Sequence, residues 1–134
     1  MELNIKGKQT IKVLLVDDEE DFVTSMSERM RIRELGSDVV FTGEAAIESL
    51  DQQVPDVMVV DLNMPGIDGL EVLRQVKRMA PQVEVILLTG HGSDKDERAA
   101  RRLGAFEYLR KPVDLEELVR NIRRAYEIKQ TRAV

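Results

Sequence analysis

The 134-residue chain carries a formal net charge of −5 and no cysteine, which excludes disulfides and thiolate–metal sites, and its single histidine, His91, argues against a His-rich metal centre or a Ser-His-Asp triad. No apolar run approaches the ~20 residues that cross a bilayer, and the polar opening MELNIKGKQT lacks the apolar core of a secretory signal, so a cytoplasmic protein is expected. Residues 1–97 hold 10 Lys/Arg against 20 Asp/Glu, whereas residues 98–134 hold 10 against 5; the overall acidity argues against direct nucleic-acid binding by this domain.

Five short apolar runs alternate with helical patterns, the signature of a parallel sheet buried on both faces. Strands are predicted at roughly 11–17, 37–42, 56–61, 83–89 and 105–110. The first helix, about 19–34, puts Phe22, Val23, Met26 and Met30 on one stripe, which reads as a buried face. The second, about 43–52, offers Ala46, Ile47 and Leu50, with Pro55 marking the return to a strand. The third, about 67–79, repeats the stripe with Leu70, Leu73 and Val76, and Pro81 lies just past its end. In the fourth, SDKDERAARR, Ser93 and Asp96 form a capping-box pattern, but Ala99, Ala100 and Leu103 are nearly all its apolar surface. Little burial implies low local stability. The fifth, about 114–128, sets Leu115, Leu118, Val119, Ile122 and Ala125 at helical spacing behind an Asp114 cap. The expected organisation is an extended or disordered tail over 1–10, one domain over 11–128 and a frayed tail over 129–134.

Polar residues stand where the apolar runs stop: Asp17 and Asp18 after IKVLLV, Asp61 after VMVV, Thr89 after VEVILL, and Lys111 after GAFEYLR. In an open α/β sheet the carboxyl ends of the strands form the ligand crevice, so these side chains are expected to share one pocket. Acids are favoured in the first turn of a helix, which accounts for Glu19, Glu20 and Asp21. Asp17 and Asp18 come earlier, and beside Asp61 they would repel strongly in a semi-buried crevice. A bound cation resolves the repulsion, and Mg²⁺ suits an all-oxygen site that keeps several waters. In that company Asp61 reads as a nucleophile, since carboxylates form aspartyl-phosphate intermediates. Pro65-Gly66 gives a turn behind it, from which the backbone of Asn63 reaches both the metal and a phosphoryl oxygen. Thr89 places a hydroxyl where such an oxygen would sit, and Gly90 lets the backbone approach closely. An inward lysine is expensive unless paired, so Lys111 reads as a counter-ion, and Lys111-Pro112 is a candidate cis peptide. Tyr108 reads equally as core or as a half-buried edge residue, and His91 as a loop residue rather than a metal ligand.

The segments VLLVDDEEDF, VVDLNMPGIDGLEVL, LLTGHGS and GAFEYLRKPVD occur in this order at the strand ends. In them the chain resembles the receiver domain of bacterial two-component response regulators, chemotaxis-regulator-like, over roughly residues 11–128. The resemblance implies an α/β fold, a doubly wound (βα)5 flavodoxin-like sheet of strand order 2-1-3-4-5. It also implies a phosphorylation-activated switch in which Asp61 accepts a phosphoryl group from a sensor histidine kinase or phosphotransfer protein. Mg²⁺, or Mn²⁺ in its place, would be held by Asp18 directly, Asp17 through water, Asp61, and the Asn63 backbone carbonyl. Thr89 and Lys111 would contact phosphoryl oxygens, and Tyr108 would be the switch aromatic. Apart from the resemblance, Asn63 and His91 are expected to flank the path of an attacking water and so to tune dephosphorylation. The face of the fourth helix, fifth strand and fifth helix would be read by a downstream protein or output domain, or by a second copy in a homodimer; no membrane contact is expected.

Three other functions fit less well. A phosphatase of the haloacid-dehalogenase type also uses a strand-end Asp, Lys and Mg²⁺, but needs a second Asp two residues on as general acid, where this chain has Asn63. Dinucleotide binding lacks a G-x-G-x-x-G after the first strand. A docking module that works unphosphorylated would leave the complete set of acceptor-site residues without a purpose.

Overall fold

A computed structural model describes residues 9–132. Strands β1 (Lys12–Val16), β2 (Gly36–Val40), β3 (Val57–Val60), β4 (Glu84–Thr89) and β5 (Glu107–Arg110) alternate with helices α1 (Glu20–Ile32), α2 (Gly43–Ser49), α3 (Gly69–Met79), α4 (Asp94–Arg102) and α5 (Leu115–Arg132). All four pairings are parallel, and the strand order is β2-β1-β3-β4-β5. The expected flavodoxin-like topology is thus the one adopted, with element ends shifted by a few residues.

The two-residue period of the strands divides the core cleanly. Leu14, Val16, Met58, Val60, Val85 and Leu87 face the layer of α2, α3 and α4, where they meet Ala46, Val72, Leu73, Val76 and Ala100. Val13, Leu15, Val57, Val59, Ile86 and Leu88 face α1 and α5, against Val23, Met26, Met30, Leu118, Ile122 and Ala125. Burial on both faces is why these strands read as continuous apolar runs rather than alternating ones.

Three expectations change. Phe22 does not share the buried stripe of α1: it is 39% exposed. The Val23, Met26, Met30 face already fills the space against β1, so Phe22 falls on the helix shoulder, where its ring lies 4.7 Å beneath the Lys111 ammonium. Helix α5 runs past its expected end at 128. It continues through Arg132, and Lys129 Nζ is tied to Asp56 Oδ1 at 2.9 Å. Residues 1–8 and 133–134, most of the two tails, lie outside the described residues. Helix α2 stops at Ser49, short of the expected 52, and closes in a turn in which Gln52 and Gln53 donate to the Ser49 carbonyl.

Candidate functional site

The sheet changes direction between β1 and β3: the chain first runs outward to β2 and then returns on the other side of β1. Crevices open at such switch points, outside the carboxyl ends of the strands. Val16 is in register with Val60, so the residues that follow them, Asp17 and Asp61, are brought side by side. The Asp61 N–H donates to the Val16 carbonyl at 2.9 Å, which fixes their relative height. On the far side, β4 ends at Thr89, and the Lys111 N–H donates to the Thr89 carbonyl at 2.8 Å. Gly69 lets the start of α3 lie against the back of Asp61, because a Cβ there would meet the Asp61 carbonyl oxygen.

Asp17 is 4% exposed, Asp61 7% and Thr89 not at all. Lys111 Nζ bridges to Asp17 Oδ2 at 3.0 Å and to Glu19 Oε1 at 3.3 Å. The peptide before Pro112 is cis. Burial opposes the Lys111 charge, but the Asp17 hydrogen bond and the Asp17 and Asp61 charges outweigh it and hold the ammonium above its ordinary range. Asp61 is pushed from 3.8 up to about 6. Desolvation is the main cause; Lys111 opposes it, the Asp17 and Asp18 carboxylates add to it, and the Asn63 backbone N–H offsets part of it. This carboxylate is therefore ionised near neutral pH yet poorly solvated.

The Thr89 hydroxyl oxygen accepts from Asn63 Nδ2 at 3.4 Å and from the His91 backbone N–H at 3.2 Å. The turn foreseen at Pro65-Gly66 carries Gly66 at φ 78°, the left-handed region that glycine tolerates. Tyr108 is buried at 5% exposure, so its core reading holds in this state. His91 is exposed, and its backbone rather than its ring makes the contact to Thr89.

Asp17, Asp61, Thr89 and Lys111 thus meet at the strand ends, with Asn63 leaning in from the following loop. The Asp18 side chain is exposed, and its charge acts on Asp61. Among the described residues, the tight carboxylate group is Asp17, Glu19 and Asp61, whose oxygens lie within 4.8 Å of one another. By sequence position alone, helix-dipole preference accounts for Glu19. Its N–H donates to Asp17 Oδ1 at 2.9 Å, a local turn that folds the chain back and returns Glu19 to the pocket. Three hard oxygen donors at this spacing suit a divalent cation such as Mg²⁺, and the desolvated Asp61 carboxylate gives that charge something to neutralise. No helix is long and apolar enough to cross a membrane among the described residues.

A doubly wound sheet with a lysine-bridged carboxylate pocket at its switch point defines a flavodoxin-like α/β module. Residues 13–123 match the family described as "Response regulator receiver domain". The chain is 36% identical over 113 residues to the transcriptional regulatory protein TrcR of Mycobacterium tuberculosis, covering 84% of this chain and 44% of that protein. It is 41% identical over 83 residues to the DNA-binding transcriptional regulator NtrC of Escherichia coli K12, covering 62% and 18%. A response regulator receiver domain from Clostridium thermocellum superposes with a TM-score of 0.83 at 32% identity, covering 90% and 98%. The chain belongs to the response regulator receiver family. It is a signalling module of two-component phosphorelays rather than a turnover enzyme. It spans less than half the length of these two curated relatives.

Proposed function

We propose that Asp61 accepts a phosphoryl group from the phosphohistidine of a sensor kinase or phosphotransfer protein, and that the modified domain controls a partner through the face formed by α4, β5 and α5. The observation that carries this reading is the meeting of Asp17, Asp61, Thr89 and Lys111 at four strand ends.

In the transfer, an Asp61 carboxylate oxygen forms a bond to phosphorus as the phosphorus–nitrogen bond of the donor breaks. Such reactions need positioning and charge neutralisation more than covalent assistance. Asp17, Glu19 and Asp61 would hold the divalent cation, Mg²⁺ or Mn²⁺, with Asp18 and the Asn63 carbonyl as further oxygen donors. The cation supplies positive charge against the phosphoryl oxygens. Lys111 adds to that charge once it leaves Glu19, and the Thr89 hydroxyl, now an acceptor from Asn63 and His91, would turn to donate to a phosphoryl oxygen. Asn63 and His91 flank the path of an attacking water and tune the lifetime of the acyl phosphate.

Between α1 and the start of α5 runs a groove of about 460 Å³, lined by Phe22, Met26, Val113, Leu115 and Leu118 with Arg29 and Asp114 at its rim. Phe22 joins it to the pocket through Lys111, so the donor protein would seat here. On the opposite flank, helix α4 buries only Ala100 fully. Its thin attachment makes α4, β5 and α5 the segment most able to rearrange, for a downstream protein, an output domain of a longer chain or a second copy.

Incubation with acetyl phosphate and Mg²⁺, followed by intact-mass measurement, tests this directly. One phosphoryl addition is expected in the wild type, none in Asp61→Asn and none with a chelator. Equal addition in wild type and Asp61→Asn would end the reading. With a cognate phosphohistidine protein as donor, Phe22→Ala should slow transfer while leaving acetyl-phosphate labelling intact.

A further inference from the structure

The inward position of Tyr108 has a specific structural cause. Its hydroxyl is fully buried yet has no hydrogen-bond partner among the described residues, an arrangement that usually costs stability. Burial raises the phenol's pKa, with Asp94, Asp96 and Glu97 adding to the rise and Arg110 opposing it. The hydroxyl lies against Gly92: a Cβ built on that residue would overlap the Tyr108 oxygen and come within 2.7 Å of Thr89 Cγ2. The φ of Gly92 is not in the left-handed region, so its backbone alone does not call for glycine. The missing side chain is what the tyrosine occupies.

The loop that carries Gly92 is fastened from the strand that carries Tyr108. Arg110 donates to the Gly92 carbonyl at 2.6 Å and to Asp94 Oδ1 at 3.2 Å, with Glu97 Oε1 at 3.7 Å. Its guanidinium also lies 5.6 Å from the Tyr108 ring centroid. One residue therefore covers the ring from outside and holds the loop closed over the hydroxyl.

We infer that Gly92, held by Arg110, keeps Tyr108 inside the domain before any phosphorylation, so that Gly92 and Arg110 are positioning residues that set the resting bias of the switch. This rests on the role of switch aromatic that the resemblance to receiver domains implies for Tyr108. The consequence for regulation is concrete. Phosphorylation of Asp61 does not have to draw the ring inward; it acts on Thr89 and the loop already packed on that ring. An outward Tyr108 requires Arg110 to release Gly92 and Asp94.

The test uses the unmodified chain, so its failure is separable from failure of Asp61 labelling. Tyrosine nitration followed by peptide mass spectrometry compares Tyr108 with Tyr126, the other tyrosine. In the wild type, Tyr108 should be protected and Tyr126 modified. Gly92→Ala should make Tyr108 as reactive as Tyr126, whereas Gly90→Ala should leave it protected, because a Cβ at Gly90 meets Lys111 only at ordinary contact distance, 3.9 Å. Arg110→Gln should raise Tyr108 reactivity while leaving acetyl-phosphate labelling of Asp61 intact. Tyr108→Phe removes the unpaired hydroxyl and should raise the urea midpoint, a gain that Gly92→Ala abolishes. Circular dichroism establishes that each variant is folded. Ready nitration of Tyr108 in the wild type, or continued protection in a folded Gly92→Ala, would overturn the inference.

Discussion

Replacing Asp61 with asparagine should stabilise the metal-free protein, and by an amount that depends on pH in a defined sense. Asn keeps the shape of the side chain and mimics the neutral acid. The Asp61 pKa rises from 3.8 to about 6 on folding, a shift of about 2 units, which at ~1.4 kcal/mol per unit corresponds to ~3 kcal/mol. Because the folded state favours the protonated form, the contribution is fully present below the unfolded value and is lost as pH rises through about 6. The wild type therefore carries the full penalty at pH 8, part of it at pH 5, and almost none near pH 4. Urea denaturation in chelator should show Asp61→Asn ahead by up to ~3 kcal/mol at pH 8, with the gap closing as pH falls. Saturating Mg²⁺ should narrow the gap at pH 8, since ligand binding selectively stabilises the folded wild type. A stability difference that does not change with pH, or a less stable Asp61→Asn at pH 8, would refute the reasoning.

The other expected outcomes concern the groups around Asp61. Lys111→Met should slow acetyl-phosphate labelling by roughly 100-fold, the scale for removing one preorganised positive group at a developing charge, while Mg²⁺ binding by calorimetry persists. Glu19→Gln should weaken Mg²⁺ binding in the same calorimetric assay; an unchanged affinity would place Glu19 outside the ion's reach. Asn63→Ala and His91→Ala should each alter the decay of the phosphorylated species followed by intact mass, and identical decay in both would discard their tuning role. Hydrogen exchange on phosphorylation should change in α4, β5 and α5; an unaltered pattern there would move the readout surface elsewhere.

The strand-end logic was legible because parallel strands announce themselves as continuous apolar runs, and whatever stops such a run lies at the crevice. That alone placed Asp17, Asp61, Thr89 and Lys111. Capping chemistry was equally readable: the Ser93 Oγ accepts from the Asp96 N–H and the Asp96 carboxylate accepts from the Ser93 N–H, as the sequence spacing indicates. Glu19 was not legible. Helix-dipole preference explains an acid at that position equally well, and only the turn onto Asp17 shows that it faces the lysine. Phe22 misled because helical periodicity identifies a stripe without saying where its edge falls, and an aromatic at that edge serves a groove rather than the core. The inward Tyr108 was open from sequence alone. Strand parity gives its direction, but the space it fills is created by Gly92, sixteen residues earlier, through a loop conformation that no local pattern encodes.

The acceptor role of Asp61 is best examined by trapping. After acetyl phosphate and Mg²⁺ treatment, borohydride reduction converts an aspartyl phosphate to homoserine, which tandem mass spectrometry locates in the chain. Conversion confined to position 61, and abolished by chelator, is the predicted result. Conversion at Asp17 or Asp18 instead, or none at position 61 in protein that has gained a phosphoryl mass, would contradict the account.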